Sequence, residues 1–367
     1  MTELMAQAEK LPRVSSEAAR HFVELEDVLL DAVNARMTAL NSLSDLIGDN
    51  PVAIMLTNHR NHAAFMAGVF HFGSYGLLAK TLPLVYRAYH NQGFAHAYFF
   101  LKLEAWRDAI RAAMPEDGTE ILAVYEWMLS RHEDVIKLSL LPAEDIASLD
   151  EKWRSAYEEL TAALLTGDVE SCKGLTRRMV RNASEMANFF VHVLQPALYT
   201  IGVRWENGEI SVAQEHQASA IVSRLLASIP VAEFAEVTSR GKAVVSTSAN
   251  EFHEIGAWMV AYCLESDGWD VRYLGANLPG EDLLAFVRAE PPDLLCLSLT
   301  MAFNLGLVKR IITAVRTETS LAKTKILIGG QSLLNDPSLV QDLGADAFAG
   351  DCKDAIEAAR SFCTREE

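Results

Sequence analysis

The chain has 367 residues, half of them hydrophobic and 22% charged, enough for two or three domains with well-filled cores. Its net charge of −17 excludes a phosphate-binding groove as the main feature, since the lysines and arginines are interspersed with acids rather than clustered. The five cysteines are odd in number and form no Cys-x-x-Cys pair, which argues against both a zinc ribbon and a disulfide framework.

Residues 1–13 hold no apolar stretch of signal-peptide length, and the apolar region 63–89 is interrupted by His71, Lys80, Pro83 and Arg87. A cytoplasmic protein without a membrane partner is expected. Residues 1–141 read as helices with almost no strand signal. Ser15-Ser16-Glu17 caps a helix running to about Ala39, and Asn50-Pro51 opens a second. Phe99, Leu103, Trp106 and Ile110 mark a helix within 94–113, and Val124, Tyr125, Met128 and Leu129 mark one within 121–136. This region is rich in His and aromatic residues. His59, His62, His90 and His96 are candidates to line a pocket for a flat conjugated ligand, although spacing alone favours a packed aromatic core.

Leu141-Pro142 marks a boundary. Residues 142–235 then read as a four-helix bundle, punctuated by Thr166-Gly167-Asp168, Asn182, the turn 206–209 and Ser211. From Gly241 the period changes. Apolar runs at 243–247, 294–299 and 326–328, with an alternating run at 269–273, interleave with helical stretches at 253–266, 280–289, 304–317 and 351–362. Residues 240–367 are therefore expected to form a doubly wound parallel α/β sheet, giving a multidomain chain overall.

The chemistry-bearing residues gather at the ends of these strands. Glu251-x-His253-x-x-Gly256 follows the first apolar run, Ser298-x-Thr300 the second, and Gly329-Gly330 the third. Forty-one residues separate Gly256 from Ser298, and twenty-eight separate Thr300 from Gly329. In a doubly wound sheet all three meet at one edge, where such folds bind ligands. The bundle adds Trp205 and, ten residues later, Glu215-His216.

This set resembles the cobalamin-binding family shared by methionine synthases, corrinoid methyl carriers and light-sensing repressors. The resemblance covers residues 150–362 and implies a Rossmann-like cobalamin-binding domain. It implies that His253 ligates cobalt from below, with Glu251 and Ser298 supporting it. Gly256, Gly329 and Gly330 would then leave room for the cofactor's nucleotide tail, with Thr300 also among the cofactor-binding residues. Trp205 with Glu215-His216 is similar to the repressors' upper face, where such residues surround the adenosyl group of adenosylcobalamin. Two departures stand out. Glu206 occupies the place of the histidine that captures cobalt in those repressors after photolysis. The amino-terminal 140 residues are acidic and aromatic-rich, not a small helix-turn-helix domain, so direct nucleic-acid binding is not expected.

Gly93-Phe94-x-x-x-Tyr98-Phe99, Trp106 and Val124-Tyr125-x-Trp127-Met128 resemble globin-like sensor domains. That pairing resembles the photocobilins, photoreceptors that bind a bilin such as biliverdin besides adenosylcobalamin. The resemblance implies a non-enzymatic photosensory protein that signals through a homo-oligomer or a separate partner. No cysteine precedes Cys172, so a thioether-linked bilin in residues 1–141 is not expected. A corrinoid methyl carrier and a haem-binding redox sensor are the alternatives.

Overall fold

The computed structural model describes residues 1–143, 149–236, 239–334 and 336–363. They divide into two compact units, Met1–Glu144 with Glu206–Glu209, and Asp145–Trp205 with Ile210–Glu367.

The described residues of the first unit form helices joined by turns, with no strand among them. Ser15 caps Ser16–Glu24 by accepting the Ala18 N–H, but the helix stops at Leu25, whose φ of −95° and ψ of 5° leave the helical region. A second helix, Glu26–Thr38, follows at once. The break has a packing cause: Ser16–Glu24 lies on Val52–Phe72, whereas Glu26–Thr38 lies mainly on His96–Ala113. The helix expected within 121–136 divides for the same reason. Thr119–Ser130 packs on His96–Ala113 and His132–Ser139 on Tyr75–Asn91, with the break at Arg131. Phe22, Phe70, Tyr98, Phe99, Trp106 and Tyr125 are fully buried and form the centre of this unit.

The second unit begins with helices whose ends the sequence specifies. Asp150 caps Glu151–Thr166, which ends at Gly167 in the left-handed conformation (φ 74°). Asp168 caps Val169–Met179 and Asn182 caps Ala183–Phe189. A π-helical turn, Phe190–Leu194, leads into Gln195–Glu206. Pro196 explains that turn, because it offers no N–H to the carbonyl of His192 and its ring crowds it. Ser211 and Gln214 form a capping box at the start of Val212–Ala227. The continuous helical stretch Ala183–Glu206 is long and apolar enough by length and composition to cross a membrane. Here its apolar residues Met186, Phe189, Phe190, Val193, Leu194, Ala197 and Ile201 are buried in the core of these helices.

The sheet has five parallel strands, β1 (Lys242–Thr247), β2 (Asp270–Tyr273), β3 (Leu294–Ser298), β4 (Lys325–Gly329) and β5 (Ala347–Ala349), in the order β2-β1-β3-β4-β5. β1 and β3 are buried almost end to end, as central parallel strands with covered faces must be. Met259 and Cys263 on the helix after β1, and Cys352 on the last helix, belong to the same apolar cluster as the helices of 151–227. That shared core makes one compact unit of the helices and the sheet. The strand order reverses between β1 and β3, so the loops leaving these two strands flank a ready-made crevice.

Candidate functional site

Thr247, Ser298 and Gly329 stand side by side in register at the carboxyl edge of β1, β3 and β4. The loop after β1 then turns sharply at Asn250, which has a φ of 61°. Asparagine tolerates this left-handed conformation because its short polar side chain bonds locally. The Asn250 N–H donates to Asn277 Oδ1 at 2.8 Å, and Asn277, itself at φ 53°, donates its N–H to the carbonyl of Glu251 at 2.9 Å. Thr247 Oγ1 donates to the same carbonyl at 3.0 Å. Side chains from the ends of β1 and β2 thus fix the backbone of the Glu251–His253 segment.

Glu251 is completely buried. One carboxylate oxygen accepts the Nδ1–H of His253 at 2.6 Å and the His253 backbone N–H at 3.2 Å. The other accepts the backbone N–H groups of Thr300 (3.0 Å) and Met301 (2.8 Å) and the side-chain amide of Asn304 (3.3 Å). Burial alone would push this carboxyl up. The donated hydrogen bonds, from His253 and Met301 above all, outweigh burial and hold it below its usual value. The same bond from Glu251 raises the pKa of His253 against partial desolvation, and the negative charges of Glu251 and Glu215 add to the effect.

The consequence for His253 is specific. Its Nδ1 is committed to a buried carboxylate, while 57% of its side chain remains exposed. A histidine so held presents Nε2 outward with its lone pair free, the arrangement that orients a metal-binding imidazole and raises its basicity. Among the described residues no group of three or more His, Cys, Asp or Glu side chains could hold a bare metal ion. A lone, oriented imidazole fits a metal that arrives with its other ligands already in place.

The remaining expected residues divide into distinct roles. Gly256 opens the helix Ile255–Ser266, and a Cβ there would meet nothing within 4 Å. The chain itself therefore does not require glycine, and the space is available to a ligand. Gly329 and Gly330 are different. A Cβ on Gly329 would lie 2.7 Å from the carbonyl of Ala349, and Gly330 (φ 108°) would collide with the backbone of Leu299. Close approach of the loops after β3 and β5 already demands both glycines. Thr300 serves through its backbone: its N–H reaches Glu251 and its carbonyl accepts the hydroxyl of Ser332. Ser298 ends β3, but its hydroxyl makes no hydrogen bond to Glu251 or His253 among the described residues. The support expected of it comes instead from Thr300, Met301 and Asn304.

Asn304 is the residue that sequence reading missed. It is fully buried, its amide bridges the Asn250 carbonyl (3.2 Å) and Glu251, and its Oδ1 has no partner. An isolated Asn at a helix start reads as a cap, so only the sheet topology brings it to the site. On the helices, Glu215 accepts His216 Nδ1 at 2.6 Å and the Ser219 hydroxyl at 2.8 Å, while the His216 side chain is 74% exposed. Glu215 is near enough to act on His253 electrostatically, so the helical and sheet parts of the motif face a common region. Trp205 is half-buried near the end of Gln195–Glu206. Glu206 is paired with Arg87, and its backbone carbonyl accepts the side-chain amide of Asn91 at 2.7 Å.

Comparison with known proteins agrees with this geometry. Residues 241–360 match a family model described as "B12 binding domain", and residues 156–229 match a second model with the same description. The HTH-type transcriptional repressor CarH of Myxococcus xanthus is 30% identical over 162 residues, 44% of this chain. The chain spans about half of that relative's length, 53%. A corrinoid protein of Desulfitobacterium hafniense (strain Y51) is 23% identical over 57% of this chain and 97% of its own. The solved monomethylamine corrinoid protein of Methanosarcina barkeri superposes with a TM-score of 0.50 at 19% identity, over 57% of this chain and 99% of that one, a likeness of fold. Residues 156–229 and 241–360 thus match B12 binding domains, which indicates a cobalamin or a related corrinoid as the cofactor of this chain.

Proposed function

We propose that the protein is a cytoplasmic, cobalamin-dependent photoreceptor. The support for this reading is the sequence motif of Trp205 followed ten residues later by Glu215-His216, together with Glu215 lying within electrostatic reach of His253. A carrier that only shuttles methyl groups has no need of a second, aromatic and acidic face. The 30% identity to a transcriptional repressor supports the same choice.

In this reading His253 Nε2 would hold the cobalt, with Glu251 keeping the imidazole's proton on Nδ1. Gly256 would let the nucleotide tail pass the start of its helix. Trp205, Glu215 and His216 would bind the cofactor on the side of the helices. When bound, adenosylcobalamin supplies a cobalt–carbon bond that green light breaks. Trp205 and Glu215 would pack against the adenosyl group, and the helices of 151–227 would pack differently on the sheet without it. Glu206, held by Arg87, would not serve as a ligand in the illuminated state. The output would be a change in oligomer or in contact with a separate partner.

The first unit would be a globin-like sensor domain with a bilin such as biliverdin as second chromophore. The support is its concentration of histidine and aromatic rings, including the stacked pairs His59–Tyr98 and His90–His96. Reconstitution with adenosylcobalamin and biliverdin, followed by absorption spectra in the dark, after green light and after red light, tests both chromophores. Size-exclusion chromatography before and after illumination tests the output. Failure to retain adenosylcobalamin, or spectra unchanged by green light, would defeat the photoreceptor reading.

A second reading, a methyl carrier for a methyltransferase system, is favoured by one finding. Corrinoid proteins such as the dimethylamine corrinoid protein of Methanosarcina barkeri are covered almost entirely, 98% of that chain at 23% identity. It predicts stable methylcobalamin, cycling through Co(I), and indifference to loss of Trp205.

A further inference from the structure

Gly202 lies in the interior of the twelve-residue helix Gln195–Glu206, at a place where the chain itself does not ask for glycine. Its φ is outside the left-handed region, so its backbone is one that any residue adopts. A Cβ at this position would meet nothing within 4 Å among the described residues. After proline, glycine is the least favourable residue in a helix interior, because it gives up the most backbone freedom and adds no side-chain contact. Gly329 and Gly330 answer to close backbone neighbours, whereas Gly202, like Gly256, answers to none.

The face that carries Gly202 is fixed by its neighbours. Gln195, Leu198, Gly202 and Trp205 follow one another at three- and four-residue spacing and form one stripe along the helix. At the start of that stripe Gln195 Nε2 donates to the carbonyl of Gly350, the residue after β5, at 3.4 Å. Just before it, Lys353 Nζ donates to Asn188 Oδ1 at 2.6 Å and to His192 Nε2 at 3.2 Å. The helix is thereby anchored at the carboxyl edge of the sheet, the edge from which the Glu251–His253 loop also leaves. Gly202 lies roughly 10 Å further along the helix axis. Beyond the turn that follows, Glu215 in the first turn of Val212–Ala227 acts electrostatically on His253. Between these two points the stripe consists of Leu198, Gly202 and Trp205, all three only partly buried.

We infer that Gly202 selects by size the group that the cofactor carries on the side of the helices. Its bare backbone, one turn before Trp205 on the same stripe, admits a bulky planar substituent that a side chain at this position would obstruct. The inference rests on the cobalamin photoreceptor reading and names a specificity residue for it. An adenosyl group needs the space at residue 202, whereas a methyl or hydroxyl group fills little space and is indifferent to it. The unfavourable helix residue then has its cause in the ligand and not in the chain.

The test uses the full chain and its Gly202→Ala and Gly202→Leu variants. Gly174→Ala in Val169–Met179, where a Cβ would meet only the end of the Arg178 side chain, is the control. Binding of adenosylcobalamin, methylcobalamin and hydroxocobalamin is titrated in the dark by absorption, and thermal unfolding of the cofactor-free proteins is followed in parallel. Cofactor-free Gly202→Ala melts at or above the wild type, as Gly174→Ala does, since alanine is the better helix former. Gly202→Leu loses roughly tenfold or more in affinity for adenosylcobalamin, the effect of overpacking, while both small forms bind as they do to the wild type. Gly202→Ala shows a smaller loss of the same selectivity, and Gly174→Ala shows none. Should Gly202→Leu not fold, the selectivity of Gly202→Ala decides. Wild type that takes up no cobalamin ends the cobalamin reading and this inference with it, and wild type that takes up only the two small forms ends the photoreceptor reading and the inference together. Where wild type binds adenosylcobalamin, three results overturn the inference alone: variants with wild-type selectivity, variants that weaken all three forms alike, or a Gly202→Ala protein that melts well below the wild type.

Discussion

Replacing Glu251 with glutamine tests the site at its most constrained atom pair. The amide is nearly isosteric, so the consequence is set by which end turns where. One carboxylate oxygen faces three N–H donors, from Thr300, Met301 and Asn304, and the other faces the Nδ1 and backbone N–H of His253. Placing the NH2 group against three donors is the worse arrangement, so the amide oxygen takes that side and the NH2 faces His253. It then donates to Nδ1, and the imidazole must move its proton to Nε2. The lone pair needed by a metal is lost from the exposed nitrogen. Loss of such an orienting partner weakens metal ligation by about 10–100-fold, or roughly 1.4–2.7 kcal/mol. The folded chain should lose on the order of 1–3 kcal/mol as charge-assisted bonds become neutral ones. Nitrogen-15 NMR of the cofactor-free protein reads the tautomer directly, and cobalamin titration followed by absorption reads the ligation. A Glu251→Gln protein that keeps its proton on Nδ1 and binds cobalamin as wild type does would refute the reasoning.

Other substitutions separate chain requirements from ligand requirements. Gly330→Ala should destabilise the cofactor-free protein by about 2–4 kcal/mol in denaturant titrations, since φ 108° and the Leu299 backbone leave no room for a Cβ. Gly256→Ala should leave cofactor-free stability within about 0.5 kcal/mol but weaken cobalamin binding, because its Cβ meets only space. Trp205→Ala should reduce the preference for adenosylcobalamin over hydroxocobalamin in competition binding, whereas His253→Ala should alter the spectra of both forms. His59 supplies a pH signature. Burial and Lys102 lower it from 6.5 to about 3, so the unfolded chain takes up the proton first. Its contribution to stability is complete above pH 6.5 and should fall away between 6.5 and 3, on the order of 5 kcal/mol in total. A His59→Gln variant should show a shallower loss of stability over the same window.

Much of the site was legible because local chemistry and spacing agree. Strand ends at Thr247, Ser298 and Gly329 could be read from apolar runs, and caps at Asp168, Asn182 and Ser211 from their side chains. The breaks at Leu25 and Arg131 were not legible, because each answers to which distant helix lies beneath. β5 was missed because three residues carry too little periodicity, and it forms by pairing with β4. The partners of Glu251 escaped for a related reason. Two of its five donors are backbone groups at Thr300 and Met301, which have no residue-type signal, and Asn304 joins them only through the β1–β3 crevice.

The π turn at Phe190–Leu194 sets more than local geometry. One residue of slack in a helix rotates everything beyond it by about 100° relative to an unbroken helix. Trp205 lies downstream of that turn, so its heading is a matter of helical phase fixed eleven residues earlier. Deleting a single residue within 190–194 would let the helix run straight and swing the indole about a third of a turn round its axis, with His253 and its loop untouched. The turn acts as an angular gauge for one face of the site.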